Sequence, residues 1–322
     1  MHLFNKLLGK TTVSKGVVGL SFTPEGIAIA ISSQSGQQKP ILTHCEFIHS
    51  NNKQQDLKDL TVKYQLTEYD CHLVLGADDY RLISIEQPAV AEEELAEAIR
   101  WKVSDLVDFS IDDAIIDYYT LPKPGRENSQ KMLDIIASPI SAIQPLVDLC
   151  SHCDLQLQVI DIQETSLRNL ATLLPENDRG IAVLHLQKSS GQITIEQQGA
   201  IYLNRKLAIG FERLGLSDAF LSDEQIAMEQ GGLALDIQRS FDYLESYYGL
   251  PPLSDLAVIP LTDNTQGLLN FLNSNYGITA RIMDLSTIID GDILLDDTTQ
   301  SLCATVIGTT LRNSLKANDT AS

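Results

Sequence analysis

The sequence predicts an α/β protein of two similar lobes, with a small α/β subdomain inserted between them. Three observations carry that prediction. A chain of 322 residues has room for about two domains. Three short β-rich segments followed by alternating helices and strands occur twice along it. A helix–strand–strand–helix stretch separates the two occurrences.

In the first unit, Val17–Phe22 and Gly26–Ser32 flank a Thr-Pro-Glu turn, and Pro40–His49 supplies a third strand. A helix over 53–66 and a buried strand at Cys71–Gly76 follow. In the second unit the strands are Gly180–Gln187, Gln192–Gln197 and Ile201–Leu207, the first two joined through Ser189-Ser190-Gly191. A long helix from Glu224 to Tyr248, a strand Leu256–Pro260, a helix near Gln266–Asn273 and a strand near Thr279–Met283 complete it. The insert reads as a helix Ala91–Val107, strands Ile115–Leu121 and Lys131–Ser138 around the Pro122–Gln130 turn, and a helix Pro139–Cys150. Leu155–Ile160 returns the chain to the first lobe. The expected organisation is a basic segment 1–15, a first lobe of 16–85, 156–179 and 300–316, an insert 86–155, a second lobe 180–299 and a polar tail 317–322. Two such units face each other across a cleft, a common place for ligands.

The net charge of −20 argues against nucleic acid and against broad contact with an anionic bilayer, both of which need Lys and Arg. No apolar run approaches the ~20 residues of a membrane span, and the N-terminus lacks the apolar core of a secretory signal. Leu3, Phe4, Leu7 and Leu8 beside Lys6, Lys10 and Lys15 outline a short basic amphipathic segment, a lid or a weak membrane touch. Five cysteines without an export signal read as reduced thiols. The expected location is cytoplasmic.

Five strings resemble the PilM-like proteins of type IV pilus assembly, whose bilobal actin-like fold is related to FtsA. They are Val18-Gly19-Leu20; Trp101 with Val107-Asp108-Phe109 and Asp117-Tyr118; Val183 to Ile195; Arg205 with Gly210; and Leu233-Ala234-Leu235-Asp236-Ile237-Gln238-Arg239-Ser240. The resemblance runs from Val17 to Leu311. It implies an actin-like (FtsA/PilM-type) fold and a binding partner, the cytoplasmic tail of a PilN-like single-span inner-membrane protein, held in a groove beside the insert. It also implies contact with other platform proteins.

The same resemblance locates a nucleotide site, and there the residues depart from it. Such sites hold phosphate on Gly-rich turns and orient Mg²⁺ with an Asp in each. Here Ser21 and Thr23 replace the first Asp and Gly, and His185 and Gln187 replace the second pair. Pro260-Leu261 falls where the adenine-side Gly-Gly belongs. Ser21 lacks the anionic charge, and the larger side chains crowd phosphate and base. No bound cofactor, metal or catalytic residue is therefore expected, and the reading is an adaptor that is not an enzyme. The alternative is an actin-like ATPase switch using ATP and Mg²⁺ in pilus assembly or type II secretion.

Other constellations are weaker. Cys150-Ser151-His152-Cys153 has zinc-like spacing without a second pair, and buried inert thiols are expected. Asp284, Asp290, Asp292, Asp296 and Asp297 do not fit an EF-hand and read as a solvated acidic loop. In the insert helix, Leu95, Ile99, Val103 and Leu106 share one face, while Trp101 lies roughly 150° away. Trp101 has two readings, a residue packed under the subdomain or a partner-facing anchor. Glu93, Glu97 and Asp105 beside it are the other candidate partner contacts. Between Thr67 and Asp117 there are 14 acids and three bases, over half of the chain's negative excess. Such a face steers a basic juxtamembrane peptide in a salt-dependent way.

Overall fold

A computed structural model describes residues 14–33, 41–125, 130–216, 221–253, 255–275, 277–291 and 293–312. Most of the basic segment, Asp292 and the polar tail lie outside these residues. The first sheet has the order β3-β2-β1-β4-β8, formed by β1 (Gly16–Phe22), β2 (Gly26–Ser33), β3 (Ile41–His49), β4 (Asp70–Val74) and β8 (Gln156–Asp161). The second repeats it as β11-β10-β9-β12-β13, from β9 (Ile181–Leu186), β10 (Gly191–Gln197), β11 (Ala200–Leu207), β12 (Asp255–Val258) and β13 (Thr279–Ile282). In both, the first three strands are antiparallel and the last two join in parallel. The duplication is thus one of topology.

β1 and β9 are buried along nearly their whole lengths. The reason is that each sheet is covered on two faces, which calls for continuous apolar runs and not alternation. On the outer face of the first sheet, Leu57 and Leu60 of α1 (Lys53–Tyr64) and Cys150 of α3 (Ile140–His152) pack with Val18, Leu20 and Ile29. On the second, α5 (Asp223–Tyr243) and α6 (Thr265–Asn275) bring Leu233, Ile237 and Leu268 against Leu184 and Ile193. Between the sheets lie α4 (Gln163–Ala171) and α8 (Asp297–Thr310), in one core with Ala28, Val74, Val183 and Ala257. A Cβ on Gly308 of α8 would lie 2.2 Å from the Ser166 carbonyl oxygen of α4, so this crossing needs glycine.

The insert is a three-stranded antiparallel sheet of order β5-β7-β6, from β5 (Arg81–Glu86), β6 (Ala114–Thr120) and β7 (Met132–Pro139). Leu95, Ile99 and Val103 of α2 (Leu95–Val103) pack on Ile85, Leu133 and Ile135. β5 falls within the range expected for the first lobe, so the insert's sheet begins at Arg81. Its alternation is weak because only Ile85 is buried on this edge strand. The last helix of the insert instead joins the first lobe's core through Cys150. The chain also returns to the first lobe before residue 300: Leu42 N–H of β3 donates to the Asp290 carbonyl at 2.8 Å.

Two helices differ in length from the sequence expectation. α2 starts after a 3₁₀ turn at Glu92–Glu94 and stops at Val103. Leu106 is consequently exposed, while Val107, Phe109 and Ile111 turn into the insert's core. α5 ends at Tyr243 and continues as a π turn, Leu244–Tyr248. The acidic loop is partly occupied in capping: Asp284 caps α7 (Leu285–Ile288) through Ser286 N–H, and Asp296 caps α8 through Thr299 N–H. All five cysteines are free thiols, with Cys71, Cys150, Cys153 and Cys303 buried.

Candidate functional site

Two places deserve a functional reading: the cleft between the lobes and the outer surface of the insert. The cleft has a volume of about 370 Å³. Its walls come from the segment after β4, the start of α4 and the β9–β10 turn with β11. Of the six positions singled out from the sequence, only His185 and Gln187 line it.

Ser21, at the end of β1, is buried and donates to the Val74 carbonyl at 3.1 Å, tying β1 to β4. Thr23 closes the β1–β2 turn, its N–H donating to Gly26 O at 2.9 Å and its hydroxyl accepting from Gly26 N–H at 3.2 Å. Its backbone N–H therefore points into its own hairpin. Gln187 does the same in the second lobe, donating to Ser190 O at 2.8 Å and accepting from Phe211 N–H at 3.0 Å. Leu261 is completely buried in the second lobe's core, and its N–H is taken by the Thr265 hydroxyl at 2.9 Å. Pro260, beside it, is buried as well. His185 is buried too, and its Nε2 donates to Ser301 O at 3.3 Å, leaving Nδ1 as a buried acceptor without a partner. Burial holds its imidazole below the ordinary value, which keeps it neutral.

The charges of the cleft are already matched. Lys206 Nζ lies 3.3 Å from Asp78, and Arg81 Nη2 lies 3.2 Å from Asp108. Glu164, on the first turn of α4, accepts from the Tyr80 hydroxyl at 2.5 Å; burial pushes its carboxyl up against that bond's opposing pull. No group of three His, Cys, Asp or Glu positioned for a metal ion occurs among the described residues. What the cleft offers is amide, hydroxyl and paired charge. Sequence reasoning missed Tyr80, Arg81, Glu164 and Lys206. α4 was not anticipated, and its apolar positions Leu167 and Leu170 gave the only available signal.

A polar chain ties the insert to the second lobe. Ser84 and Tyr119 hydroxyls donate to Asp134 at 2.5 and 2.8 Å, and Asn204 Nδ2 donates to Tyr119 Oη at 2.9 Å. On the outer side, Trp101 is 83 % exposed, so it is not a core residue of the insert. Glu93, Glu97 and Asp105 are exposed around the same helix. Val90, Leu106, Ile115 and Tyr118 are further exposed apolar side chains of this subdomain. β6, which carries the last two, is an edge strand. A surface that combines unpaired aromatic and aliphatic groups with a strongly acidic setting has the composition of a protein-binding face.

No family model matches the chain, and no curated protein matches its sequence. Its fold does match solved structures. The PilM-PilN type IV pilus biogenesis complex superposes with a TM-score of 0.71 at 17% identity, covering 92% of this chain and 98% of that one. A Bacteroides thetaiotaomicron protein with an actin-like ATPase fold and unknown function gives 0.50 at 11% identity, over 90% and 95% of the two chains. The cytoplasmic domain of EpsL, an inner-membrane component of the type II secretion system of Vibrio cholerae, gives 0.48 at 13% identity, over 94% of each. The first two are likenesses of fold that define the class: the chain has the bilobal actin-like fold, as the sequence predicts. Among the described residues, no helix is long and apolar enough to cross a membrane.

Proposed function

We propose that this chain is a structural adaptor of a type IV pilus inner-membrane assembly platform, binding the cytoplasmic tail of a PilN-like membrane protein and turning over no nucleotide. The particular counterpart that its strings resemble most is MshI of the mannose-sensitive haemagglutinin (MSHA) pilus. In this reading the protein is cytoplasmic and reaches the inner membrane only through its partners, which include other platform proteins.

The observation that carries the reading is the exposed Trp101 on an acidic insert, in a chain whose fold matches that of the PilM-PilN complex over 92% of its length. Support for a silent cleft is local. Thr23 and Gln187 spend their backbone donors within their own turns, Leu261 is packed in the core, and the two cations of the cleft are paired. A triphosphate with Mg²⁺ would need donors and an anionic anchor that these residues do not supply.

Trp101 is the sole tryptophan, so its emission reports directly on the proposed face. Titration of the full chain with a PilN-like tail peptide should change that emission saturably, and Mg-ATP at micromolar concentration should bind undetectably by calorimetry. Saturable, Mg²⁺-dependent ATP binding in that range would replace the adaptor with the nucleotide switch. Failure of the peptide to bind would remove the partner assignment on its own.

A further inference from the structure

Glu196 is a buried carboxyl that lines neither the cleft nor the outer surface of the insert. It sits at a bulge in β10, where the register with β11 shifts between Ile195 and Glu196, and it is fully buried. Its Oε2 accepts from Gly199 N–H at 2.9 Å, and its Oε1 has no partner. From α4, Arg168 donates Nη1 to the Gly199 carbonyl at 2.8 Å and Nε to Asn169 Oδ1 at 3.0 Å. The carboxyl and the guanidinium thus hold opposite polar groups of one residue without bonding each other. That residue sits in the two-residue turn Gln198-Gly199, both members at positive φ (52° and 78°).

We propose that Glu196 and Arg168 form a proton-operated latch between the β10–β11 hairpin and helix α4. With Glu196 protonated, the carboxyl carries no charge into the buried site, its Oε2 accepts from Gly199 N–H, and Arg168 clamps the Gly199 carbonyl. When the proton leaves to solvent, the carboxylate has a bare Oε1 in a dry site, which is costly. The adjacent guanidinium then exchanges the carbonyl for the carboxylate, a stronger charge-assisted pair. The turn is left with Gln198 N–H on Asn177 O at 3.1 Å. Because Asn169 also donates to Gly308 O of α8 at 3.0 Å, the exchange reaches the helix pair between the lobes.

The site is set to respond near neutrality. Burial pushes the Glu196 carboxyl up to about 7, with the Gly199 N–H and the Arg168 charge pulling the other way. Arg168 itself is lowered by burial, and it also faces Asp161, Arg312 and the Tyr119 phenol. Asp161 is engaged by Thr309 at 2.9 Å and Arg312 at 3.2 Å. Arg312 is therefore already engaged and does not compete with Arg168 for Glu196.

The test is a pH titration of the full chain by amide NMR, following Gly199 N–H and Arg168 Nε–H between about pH 5.5 and 8.5. Both signals should move together through one single-proton step with a midpoint near 7. Such a step takes the ionised fraction from about one tenth to about nine tenths over two pH units. Glu196→Gln should abolish the step in both signals, and Arg168→Gln should raise the midpoint by removing the positive charge. If either variant fails to fold, the carboxyl carbon of Glu196 in the native chain gives the midpoint directly. Signals that stay flat over the range, or a step that survives in Glu196→Gln, would overturn the latch.

Discussion

Replacing Gly308 by alanine tests whether the helix pair between the sheets fixes the two lobes against each other. The new Cβ would stand 2.2 Å from the Ser166 carbonyl oxygen and 2.7 Å from its carbon, both backbone atoms. Relief requires α8 and α4 to part by about 1 Å, and overpacking of that kind costs about 1–3 kcal/mol, occasionally more. Parting also stretches Asn169 Nδ2 to Gly308 O, His72 Nδ1 to Thr309 O and Thr309 Oγ1 to Asp161, now 3.0, 2.9 and 2.9 Å. Each is worth about 1 kcal/mol. Alanine repays about 1 kcal/mol through helix propensity. The expected net loss is about 3–5 kcal/mol, a large part of a domain's usual 5–15 kcal/mol. Gly232→Ala in α5 is the matched control, since its Cβ meets nothing closer than 3.8 Å. It should gain up to about 1 kcal/mol. Urea unfolding followed by circular dichroism measures both. A Gly308→Ala protein as stable as the native one would refute the reasoning, because the clash and the stretched bonds would then cost no more than the roughly 1 kcal/mol that helix propensity returns.

Further outcomes follow from other residues. Trp101→Ala should leave the unfolding midpoint unchanged within about 1 °C and weaken the tail peptide at least tenfold in a calorimetric titration. Leu261→Ala should cost about 2–5 kcal/mol in urea, as for a core leucine, without creating ATP affinity. Peptide association, measured by stopped flow, should slow as salt rises from about 0.05 to 0.5 M. The Glu196 carboxyl binds its proton more tightly folded than unfolded, so its contribution to stability is present at acid pH and lost as pH rises through about 7. Glu196→Gln should therefore gain on the native protein by about 3 kcal/mol between pH 4.5 and 8, compared by parallel urea series.

Strands and helices with a uniform environment were legible in the sequence. β1, β2 and β9 are apolar runs closed by Gly, Pro or Ser turns, β10 alternates Ile with Gln, Thr and Glu, and the repeat of three strands was visible as order without residue identity. α4 and α8 were not legible for different reasons. α8 is buried nearly all round between the two sheets, so an apolar face opposite a polar one never develops, whereas α4 keeps its leucines to one side but is only nine residues long. Polar members such as Gln163, Glu164, Asn169 and Gln300 disguise them further, because their bonds are made at a distance in the chain. The cleft shared that difficulty, being lined by Glu164 and Tyr80, which are 84 residues apart and meet only in the fold. Trp101 was legible as an angle on a helical wheel, but its exposure had to be seen.

The packing of α8 also bears on the order in which the chain can fold during synthesis. This helix lies against β1, β2, β3 and β4, and Thr309 O accepts from His72, 237 residues earlier. The first lobe therefore emerges from the ribosome with one face of its sheet uncovered, while the insert and the second lobe follow. That apolar face stays bare until about residue 310 is released, roughly 12 to 47 s at 5–20 residues per second for the 237 residues from His72 to Thr309. Over this interval the nascent chain presents a natural client surface for a chaperone, and a ribosome-stalled chain lacking α8 should be captured where the finished one is not.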